Sequence, residues 1–262
     1  GGETSFADIR AKHDAILVAT GVYKARDIAA PGSGLDGIVP ALEYLTVSNR
    51  KSLGDGVAAF DSGALNAEGK DVVVIGGGDT AMDCVRTAIR QKAKSVSGLY
   101  RRDRANMPGS PREVQNAEEE GVVFKWLSAP QAFLGDDKVR AVQAQRIHLG
   151  QPDATGRQVP EVIDGSAHEL PADMVIKALG FDPEDLPTMF GQDGLEVTRW
   201  GTLKIDWRTM MTNMDGVFAA GDIVRGASLV VWGVRDGRDA AEAIDQWIMA
   251  AADAPRAAGA GR

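Results

Sequence analysis

The feature of this chain that most directly indicates a chemical function is a short pattern of small residues. Gly76, Gly78 and Ala81 form a G-x-G-x-x-A pattern that follows an apolar, β-branched run and precedes a helical pattern. Gly76 allows a tight turn, Gly78 allows the backbone to approach a pyrophosphate, and Ala81 allows close packing of helix and strand. The phosphates of a dinucleotide would bind the free N–H groups at the helix N-terminus. The alternative is a β-to-α turn that holds no ligand.

The candidate cofactor-binding residues of this turn are Gly76, Gly77, Gly78, Asp79, Thr80 and Ala81. Asp79 and Thr80 stand at the start of the helix, where their side chains either cap free N–H groups or contact the cofactor. Capping is the expected role of Asp79, because its negative charge would oppose a pyrophosphate.

Two arginines, Arg101 and Arg102, follow the next predicted strand. In a dinucleotide-binding fold this strand end meets the adenosine ribose, where a carboxylate favours NAD and an arginine favours the 2′-phosphate of NADP. The nearest carboxylate, that of Asp103, comes after both arginines, and Arg104 lies close by. The pattern therefore predicts NADP(H), and the alternative is a solvated basic loop.

The elements that must position these residues alternate between strands and helices. Strands are predicted at residues 14–20, 72–75, 95–100, 122–127, 173–178 and 217–220. Helices are predicted at residues 38–53, 80–92, 111–120 and 229–251. Residues 131–134 and 139–149 flank a turn signal, which predicts an antiparallel meander beside a parallel sheet. The expected fold class is α/β with a Rossmann-like domain.

Composition excludes several kinds of site and partner. The 262-residue chain is 44% hydrophobic and carries a net charge of −8, which argues against nucleic acid as a partner. It has no apolar run of membrane-spanning length and no signal-peptide pattern, so a soluble, cytoplasmic protein without a membrane partner is expected. The single cysteine, Cys84, allows no internal disulfide and no cysteine-built iron–sulfur site in this chain. Three scattered histidines form no ligand motif, so no metal site is predicted.

Several further segments, taken together with the glycine turn, resemble a known family. They are residues 19–21 (ATG), 178–183 (ALGFDP), 217–222 (VFAAGD) and 227–241 (ASLVVWGVRDGRDAA). The set resembles flavoproteins with two dinucleotide-binding domains, one for FAD and one for NAD(P)H. The stretch RRDR at 101–104, followed by MPGS at 107–110, is similar to the small (β) subunits of NADPH-dependent glutamate synthase.

The resemblance implies a second set of cofactor-binding residues: Thr20, Gly21, Gly180, Gly221, Asp222, Leu229, Val230, Val231 and Trp232. The Asp222 carboxylate would hold a ribitol hydroxyl of FAD, or else it belongs to an ordinary Gly-Asp turn. N–H groups at the start of the last helix would face the flavin and favour negative charge on the reduced ring. Trp232 either lies near the nicotinamide–flavin contact or packs its helix, and the Thr20–Gly21 backbone either approaches FAD or ends a strand. Leu179 departs from the family pattern, which has a small or hydroxylated residue there.

The resemblance also implies a domain organisation. The family has a cysteine-rich region for iron–sulfur clusters and a first G-x-G-x-x-G for FAD, and this sequence contains neither. The chain is therefore expected to be the C-terminal part of a longer polypeptide, with [4Fe-4S] clusters only in the missing part or in a partner. Residues 1–64 would end the first FAD-domain segment and residues 65–180 would bind NADPH. Residues 181–252 would form the second FAD segment, followed by a flexible tail at 253–262.

The function implied is hydride transfer from NADPH to FAD in the electron-entry subunit of glutamate synthase. Electrons would pass through iron–sulfur clusters to the large (α) subunit, which forms glutamate from glutamine and 2-oxoglutarate, so a hetero-oligomer is expected. One alternative is an NADPH-entry subunit of a related flavoprotein, similar to that of dihydropyrimidine dehydrogenase. Another is an NADPH-binding fragment without catalysis. No catalytic acid, base or nucleophile is predicted, because the cofactors carry the chemistry.

Overall fold

The computed structural model describes residues 3–153 and 156–253. The chain divides into two compact units, of which one is the continuous segment Arg26–Gly180. The other combines the described residues up to Ala25 with those from Phe181 onward, so it is discontinuous in sequence. No helix among the described residues is long and apolar enough to cross a membrane.

The secondary structure, in chain order, is as follows. The helices are α1 (Phe6–Lys12), α2 (Ala41–Ser52), α3 (Ala58–Asp61), α4 (Asp79–Arg90), α5 (Pro111–Glu119), α6 (Leu186–Phe190), α7 (Asp222–Arg225) and α8 (Val230–Asp253). The strands are β1 (Ile16–Val18), β2 (Lys24–Ala25), β3 (Ile38–Pro40), β4 (Asp71–Ile75), β5 (Ser95–Leu99), β6 (Val123–Lys125), β7 (Ser128–Gly135), β8 (Val139–Pro152), β9 (Gln158–Val162), β10 (His168–Pro171), β11 (Met174–Lys177), β12 (Phe181–Asp182) and β13 (Val217–Ala219).

A five-stranded parallel sheet in the order β3-β11-β4-β5-β6 is the centre of the Arg26–Gly180 unit. Successive residues of β4 face opposite sides of this sheet, as the strand pleat requires. Val72 and Val74 pack in one buried cluster with residues of α2, α4 and α5. Val73 and Ile75 pack in a second cluster with residues of β7, β8 and β10. The sheet is therefore covered by helices on one face and by antiparallel strands on the other.

The antiparallel strands confirm the predicted meander and extend it. β8 pairs with β7 and β10 in one sheet, and its far end also pairs with β9. The predicted α/β class with a Rossmann-like core and an appended meander is thus confirmed.

The helix predicted at residues 38–53 is wrong at its start. Ile38–Pro40 forms the edge strand β3, which pairs in parallel with β11, and the helix begins only at Ala41. Pro40 has an extended backbone, with ψ at 143°, and serves as the N-cap of α2. Two β-branched residues and a proline suit an edge strand, and this pairing places them in the sheet.

Residues 26–64 lie in the same compact unit as residues 65–180, whereas the sequence predicts a boundary near residue 64. The physical reason is the contribution of this segment to the sheet and its core. β3 adds a strand, and the fully buried Tyr44 of α2 packs with Cys84 of α4. The Tyr44 hydroxyl also donates a hydrogen bond to Oε1 of Gln91 at 3.0 Å.

The discontinuous unit is built around a parallel pair, β1 with β13, and an antiparallel pair, β2 with β12. Phe6 stacks on Phe190 with ring centroids 4.6 Å apart, and both rings contact a core that includes Val217 and Ile223. The tail expected at 253–262 lies outside the described residues, apart from Asp253 at the end of α8.

Candidate functional site

The glycine turn between β4 and α4 has the geometry that its sequence predicts. Gly76 has φ +144°, and a Cβ at this position would overlap the carbonyl oxygen of Ala178. Gly78 is the N-cap of α4, and a Cβ built on it would meet no atom within 4 Å. The space in front of Gly78 is therefore open. Among the described residues, the amides of Asp79 and Thr80 have no intrahelical partner, whereas the Ala81 amide donates to the Gly78 carbonyl at 2.9 Å. This end of α4 is suited to bind an anion.

Tyr100 and Gly109, in the loop that follows β5, contact the same turn. The Tyr100 ring packs so closely on Gly77 that a Cβ there would overlap it. The Gly109 amide donates to the Gly77 carbonyl at 2.9 Å, and the Tyr100 hydroxyl donates to the Asn106 carbonyl at 3.1 Å. These contacts fix the arginine-bearing loop at 101–110 against the glycine turn.

The capping role expected for Asp79 is wrong. α4 has no side-chain cap, and Oδ1 of Asp79 instead accepts a hydrogen bond from the Ser110 amide at 2.9 Å. Asp79 is the first residue of α4, one position too late for an N-cap, and its side chain reaches across to the loop. Ala81 is only 1% exposed and packs in the helix-side core, which matches its expected packing role.

A cleft of about 520 Å³ opens at the carboxyl ends of β4 and β5. It brings together Gly76, Gly77, Gly78 and Thr80 with Arg101 and Arg102. Gly180 and Leu179, at the end of β11, line the same cleft. Asp79 and Ala81 do not line it. The sequence patterns at 76–80, 101–102 and 179–180 thus converge on one concave site within the Arg26–Gly180 unit.

Further lining residues were not identified as site residues from the sequence. They include Arg26, Asp27 and Ile28, Tyr100, Pro108, the segment Ser128–Pro130, and Arg157. Tyr100 directly precedes the two arginines at the end of a predicted strand, so the sequence could have identified it as a lining residue. The others come from loops and from β7, whose approach to the cleft depends on the tertiary fold.

The cleft is strongly basic. Among the residues that the structure describes, four arginines and one carboxylate, that of Asp27, line it. Asp27 accepts a hydrogen bond from Nζ of Lys177 at 2.6 Å. This hydrogen bond lowers the pKa of Asp27, so Asp27 stays ionised and paired. Arg104, by contrast, faces Glu118 at 2.9 Å and does not line the cleft. The surplus of guanidinium groups matches a ligand that carries several phosphates.

The second predicted set of site residues, except Gly180, lies in the discontinuous unit. Gly21 and Gly221 have φ of +72° and +77°, and ψ of −151° at Gly221 is a conformation largely restricted to glycine. Thr20 is exposed, and Asp222 is the first residue of the short helix α7.

The start of α8 is unusually exposed for apolar residues. Leu229, Val230 and Val231 are 58%, 82% and 67% exposed, and Trp232 is 39% exposed. Packing of Trp232 is one of its two expected roles, and its ring lies 4.9 Å from the guanidinium carbon of Arg225.

A buried carboxylate in this unit was not identified from the sequence. Asp236, on α8, is 1% exposed and binds the guanidinium of Arg225. Its pKa is lowered, mainly by the hydrogen bond from Arg225, with a smaller contribution from the backbone N–H of Gly221. Asp236 therefore links α8 to the glycine turn that precedes Asp222.

Neither metal nor thiol chemistry has a visible site in the part of the chain that the structure describes. Within residues 3–153 and 156–253, no three His, Cys, Asp or Glu side chains are grouped to hold a metal ion. Cys84 is buried in the helix-side core, and burial raises the pKa of its thiol.

Comparison with known proteins identifies the family. The model of the family described as "Pyridine nucleotide-disulphide oxidoreductase" matches residues 6–254. The small chain of NADPH glutamate synthase from Azospirillum brasilense is 68% identical over 260 residues, covering 99% of this chain and 54% of that protein. A putative small chain from Cereibacter sphaeroides is 66% identical over 244 residues, covering 93% of this chain and 58% of that protein. The chain thus spans about half the length of these relatives.

The fold matches solved structures as well. The structure of Mycobacterium tuberculosis FprA in complex with NADPH superposes with a TM-score of 0.74 at 18% sequence identity, covering 95% of this chain and 67% of that one. Fold, glycine turn and family model agree, and they confirm the resemblance drawn from the sequence. The chain belongs to the pyridine nucleotide-disulphide oxidoreductase family, and curated proteins of high identity to it are small chains of NADPH glutamate synthase.

Proposed function

We propose that this chain is the NADPH-binding part of an FAD-dependent electron-entry subunit of glutamate synthase. The observation that carries the proposal is the basic cleft at the glycine turn, where the open N-terminus of α4 and the Arg101–Arg102 pair face one concave space. A helix N-terminus and guanidinium groups bind phosphates, and NADPH carries phosphates at both of these positions.

The residues of the cleft have separate roles in this proposal. Gly78 and the first N–H groups of α4 bind the pyrophosphate, and the open space at the Cβ position of Gly78 supports this role. Arg101 and Arg102 bind the 2′-phosphate at the end of β5 and select NADPH over NADH. Gly180, with φ +87° and only Nη1 of Arg26 within 4 Å of a Cβ built on it, leaves room for the backbone to approach the other half of the dinucleotide.

We assign FAD binding to the discontinuous unit, through Gly21, Gly221, Asp222 and the residues that begin α8. The positive φ at both glycines and the exposed start of α8 fit a backbone that lies against a planar ligand. The fit is partial, because the sequence contains one G-x-G-x-x-A turn and no second turn for the FAD pyrophosphate. When both cofactors are bound, the nicotinamide supplies a hydride to the flavin, and the protein supplies position and orientation.

The names of the longer relatives extend this assignment to a partner and a product. We propose that the partner of this chain is the glutamate synthase large subunit in a cytoplasmic hetero-oligomer, and that electrons leave FAD through iron–sulfur clusters outside this chain. The product would be glutamate, formed from glutamine and 2-oxoglutarate. The support for this step is the name shared by relatives that are 68% and 66% identical, which this chain matches over about half their length.

Two measurements on the purified 262-residue chain test the proposal. In a fluorescence titration, we expect NADPH to bind at least ten times more tightly than NADH, because a charge-assisted contact to the 2′-phosphate is lost with NADH. Equal affinity for the two nucleotides, or no affinity for either, would refute the NADPH assignment. The visible spectrum, before and after anaerobic NADPH, tests the FAD step separately: a flavin band that bleaches supports it, and a colourless chain contradicts the assignment of FAD to the discontinuous unit.

A further inference from the structure

One of the four arginines of the cleft comes from the meander, an element distant in sequence from the glycine turn. Arg157 directly precedes β9, and it lines the cleft with Arg101 and Arg102. We propose that Arg157 is a specificity-determining residue that binds the 2′-phosphate of the dinucleotide from the side opposite the β5 loop. The inference rests on the proposed NADPH function and extends it to a residue of the meander.

The backbone of the hairpin fixes the position of Arg157. Its amide donates to Oδ1 of Asp153 at 3.2 Å, and its carbonyl accepts from the Asp153 amide at 2.8 Å. β9 begins at the next residue, Gln158. The backbone of Arg157 is therefore held by two hydrogen bonds, and the residue is exposed.

The hairpin also touches the predicted phosphate loop. Nη2 of Arg102 lies 3.5 Å from the carbonyl oxygen of Gln158, the residue next to Arg157. This long contact places the Arg102 guanidinium beside the backbone that carries Arg157. The two arginines thus approach the same region of the cleft from two different sheets, one from β5 and one from the meander.

The guanidinium groups of Arg101, Arg102 and Arg157 have a different electrostatic setting from the arginines outside the cleft. Among the residues that the structure describes, no carboxylate lies within ion-pair distance of the Arg101, Arg102 or Arg157 guanidinium groups. Arginines outside the cleft differ: Arg104 pairs with Glu118 at 2.9 Å, and Arg140 on β8 lies 3.7 Å from Glu169. Like charges gathered without counter-charge repel each other, and a phosphate dianion removes that repulsion while accepting several guanidinium hydrogen bonds. The 2′-phosphate is the group of NADPH that NADH lacks, so Arg157 contributes to selection between them.

Calorimetric titrations with adenosine 2′,5′-bisphosphate and with 5′-AMP isolate the 2′-phosphate. In the full chain, Arg157→Ala is expected to weaken binding of the bisphosphate about tenfold and to leave 5′-AMP binding unchanged. Arg157→Lys should lose part of this affinity, because lysine keeps the charge but not the planar fork. Arg140→Ala, on the same sheet but outside the cleft, is the matched control and should bind both ligands as the wild type does.

Three results overturn the inference. If Arg157→Ala binds the bisphosphate with wild-type affinity, Arg157 has no role at the 2′-phosphate. If it weakens 5′-AMP to the same extent, Arg157 contacts another part of the nucleotide. If the wild-type chain itself fails to prefer the bisphosphate, the NADPH assignment fails and the inference falls with it, a result that is distinct from the first two.

Discussion

The guanidinium of Arg225 is joined to the carboxylate of Asp236 by two hydrogen bonds, from Nε to Oδ2 at 2.6 Å and from Nη2 to Oδ1 at 2.7 Å. The guanidinium also lies 4.7 Å from the ring centre of Trp207 and 4.9 Å from that of Trp232. Asp236 is 1% exposed and the Arg225 side chain 27% exposed, so the pair is largely removed from water. It connects α7 to α8 and holds the backbone around Gly221.

Replacement of this buried carboxylate should destabilise the protein. Asp236→Asn keeps the shape of the side chain but leaves the Arg225 charge without its partner, and we expect a loss of about 3 kcal/mol at pH 7. The pKa of Asp236 is held below its ordinary value, chiefly by Arg225, so its charged form stabilises the fold above about pH 4. This stabilisation falls as the pH drops through the lowered pKa. Urea unfolding at pH 7 and near pH 3 should therefore show a smaller difference between variant and wild type at the lower pH.

Asp239→Asn is the control for this experiment. Asp239 lies 3.6 Å from Arg235 on the same helix, and both side chains are more than half exposed. Exposed pairs contribute little, so this variant should unfold as the wild type does. An Asp236→Asn protein as stable as the wild type at pH 7 would show that the Arg225 pair does not stabilise the unit.

Two glycines of the same turn should respond differently to one added methyl group. Gly76→Ala would place a Cβ against the Ala178 carbonyl at φ +144°, so it should lower the free energy of unfolding by about 2–3 kcal/mol. Gly78→Ala meets open space in the protein, so its stability should stay within about 1 kcal/mol of wild type. The added methyl group lies in the space assigned to the pyrophosphate, so the affinity of the Gly78→Ala variant for NADPH should fall. Parallel urea unfolding and NADPH titration separate the two effects.

A Gly78→Ala variant that binds NADPH as tightly as wild type would refute the placement of the pyrophosphate at Gly78. A Gly76→Ala variant with wild-type stability would refute the steric requirement at Gly76.

The coenzyme preference should depend on the arginines that follow β5. Replacing Arg101 and Arg102 together by alanine is expected to reduce the NADPH-to-NADH affinity ratio at least tenfold, since both line the cleft and lack carboxylate partners among the described residues. The matched control is Arg104→Ala, which removes an arginine from the same loop that pairs with Glu118 outside the cleft. Fluorescence titration of both nucleotides gives the ratio. An unchanged ratio in the double variant would exclude these arginines from selection.

The strand, turn and helix around the glycine pattern could be predicted because their signals are local. Strand β4 spans Asp71–Ile75 and helix α4 spans Asp79–Arg90, close to the predicted ranges. A β-branched run, two glycines at fixed spacing and an amphipathic pattern are all contained in one stretch of sequence. The convergence of the turn with Arg101 and Arg102 followed from the fold class, because neighbouring parallel strands end at the same edge of a sheet.

The features that could not be predicted depend on contacts distant in sequence. The three residues of β3 are a strand only because they pair with β11, about 135 residues later, and alone they continue a helical pattern. Arg157 reaches the cleft only because the meander folds back over the sheet, and nothing in its own neighbourhood marks it. The hydrogen-bond partner of Asp79 likewise lies 31 residues away, at Ser110, so a capping rule based on neighbouring residues predicted the wrong role.

Cys84 should be chemically silent in the folded protein. Its side chain is fully buried beside Tyr44 and Val85, and burial raises the pKa of the thiol, so the reactive thiolate is scarcely populated. A disulfide within this chain would need two thiols, and its sequence contains one cysteine. We expect no reaction with an aromatic disulfide reagent in buffer and one equivalent of reaction in urea. Cys84→Ala should cost about 1 kcal/mol of stability for the lost sulfur contacts and leave NADPH affinity unchanged. Rapid labelling of the native chain would show that α4 opens to solvent. Loss of NADPH binding in Cys84→Ala would show that the packing of α4 controls the cleft.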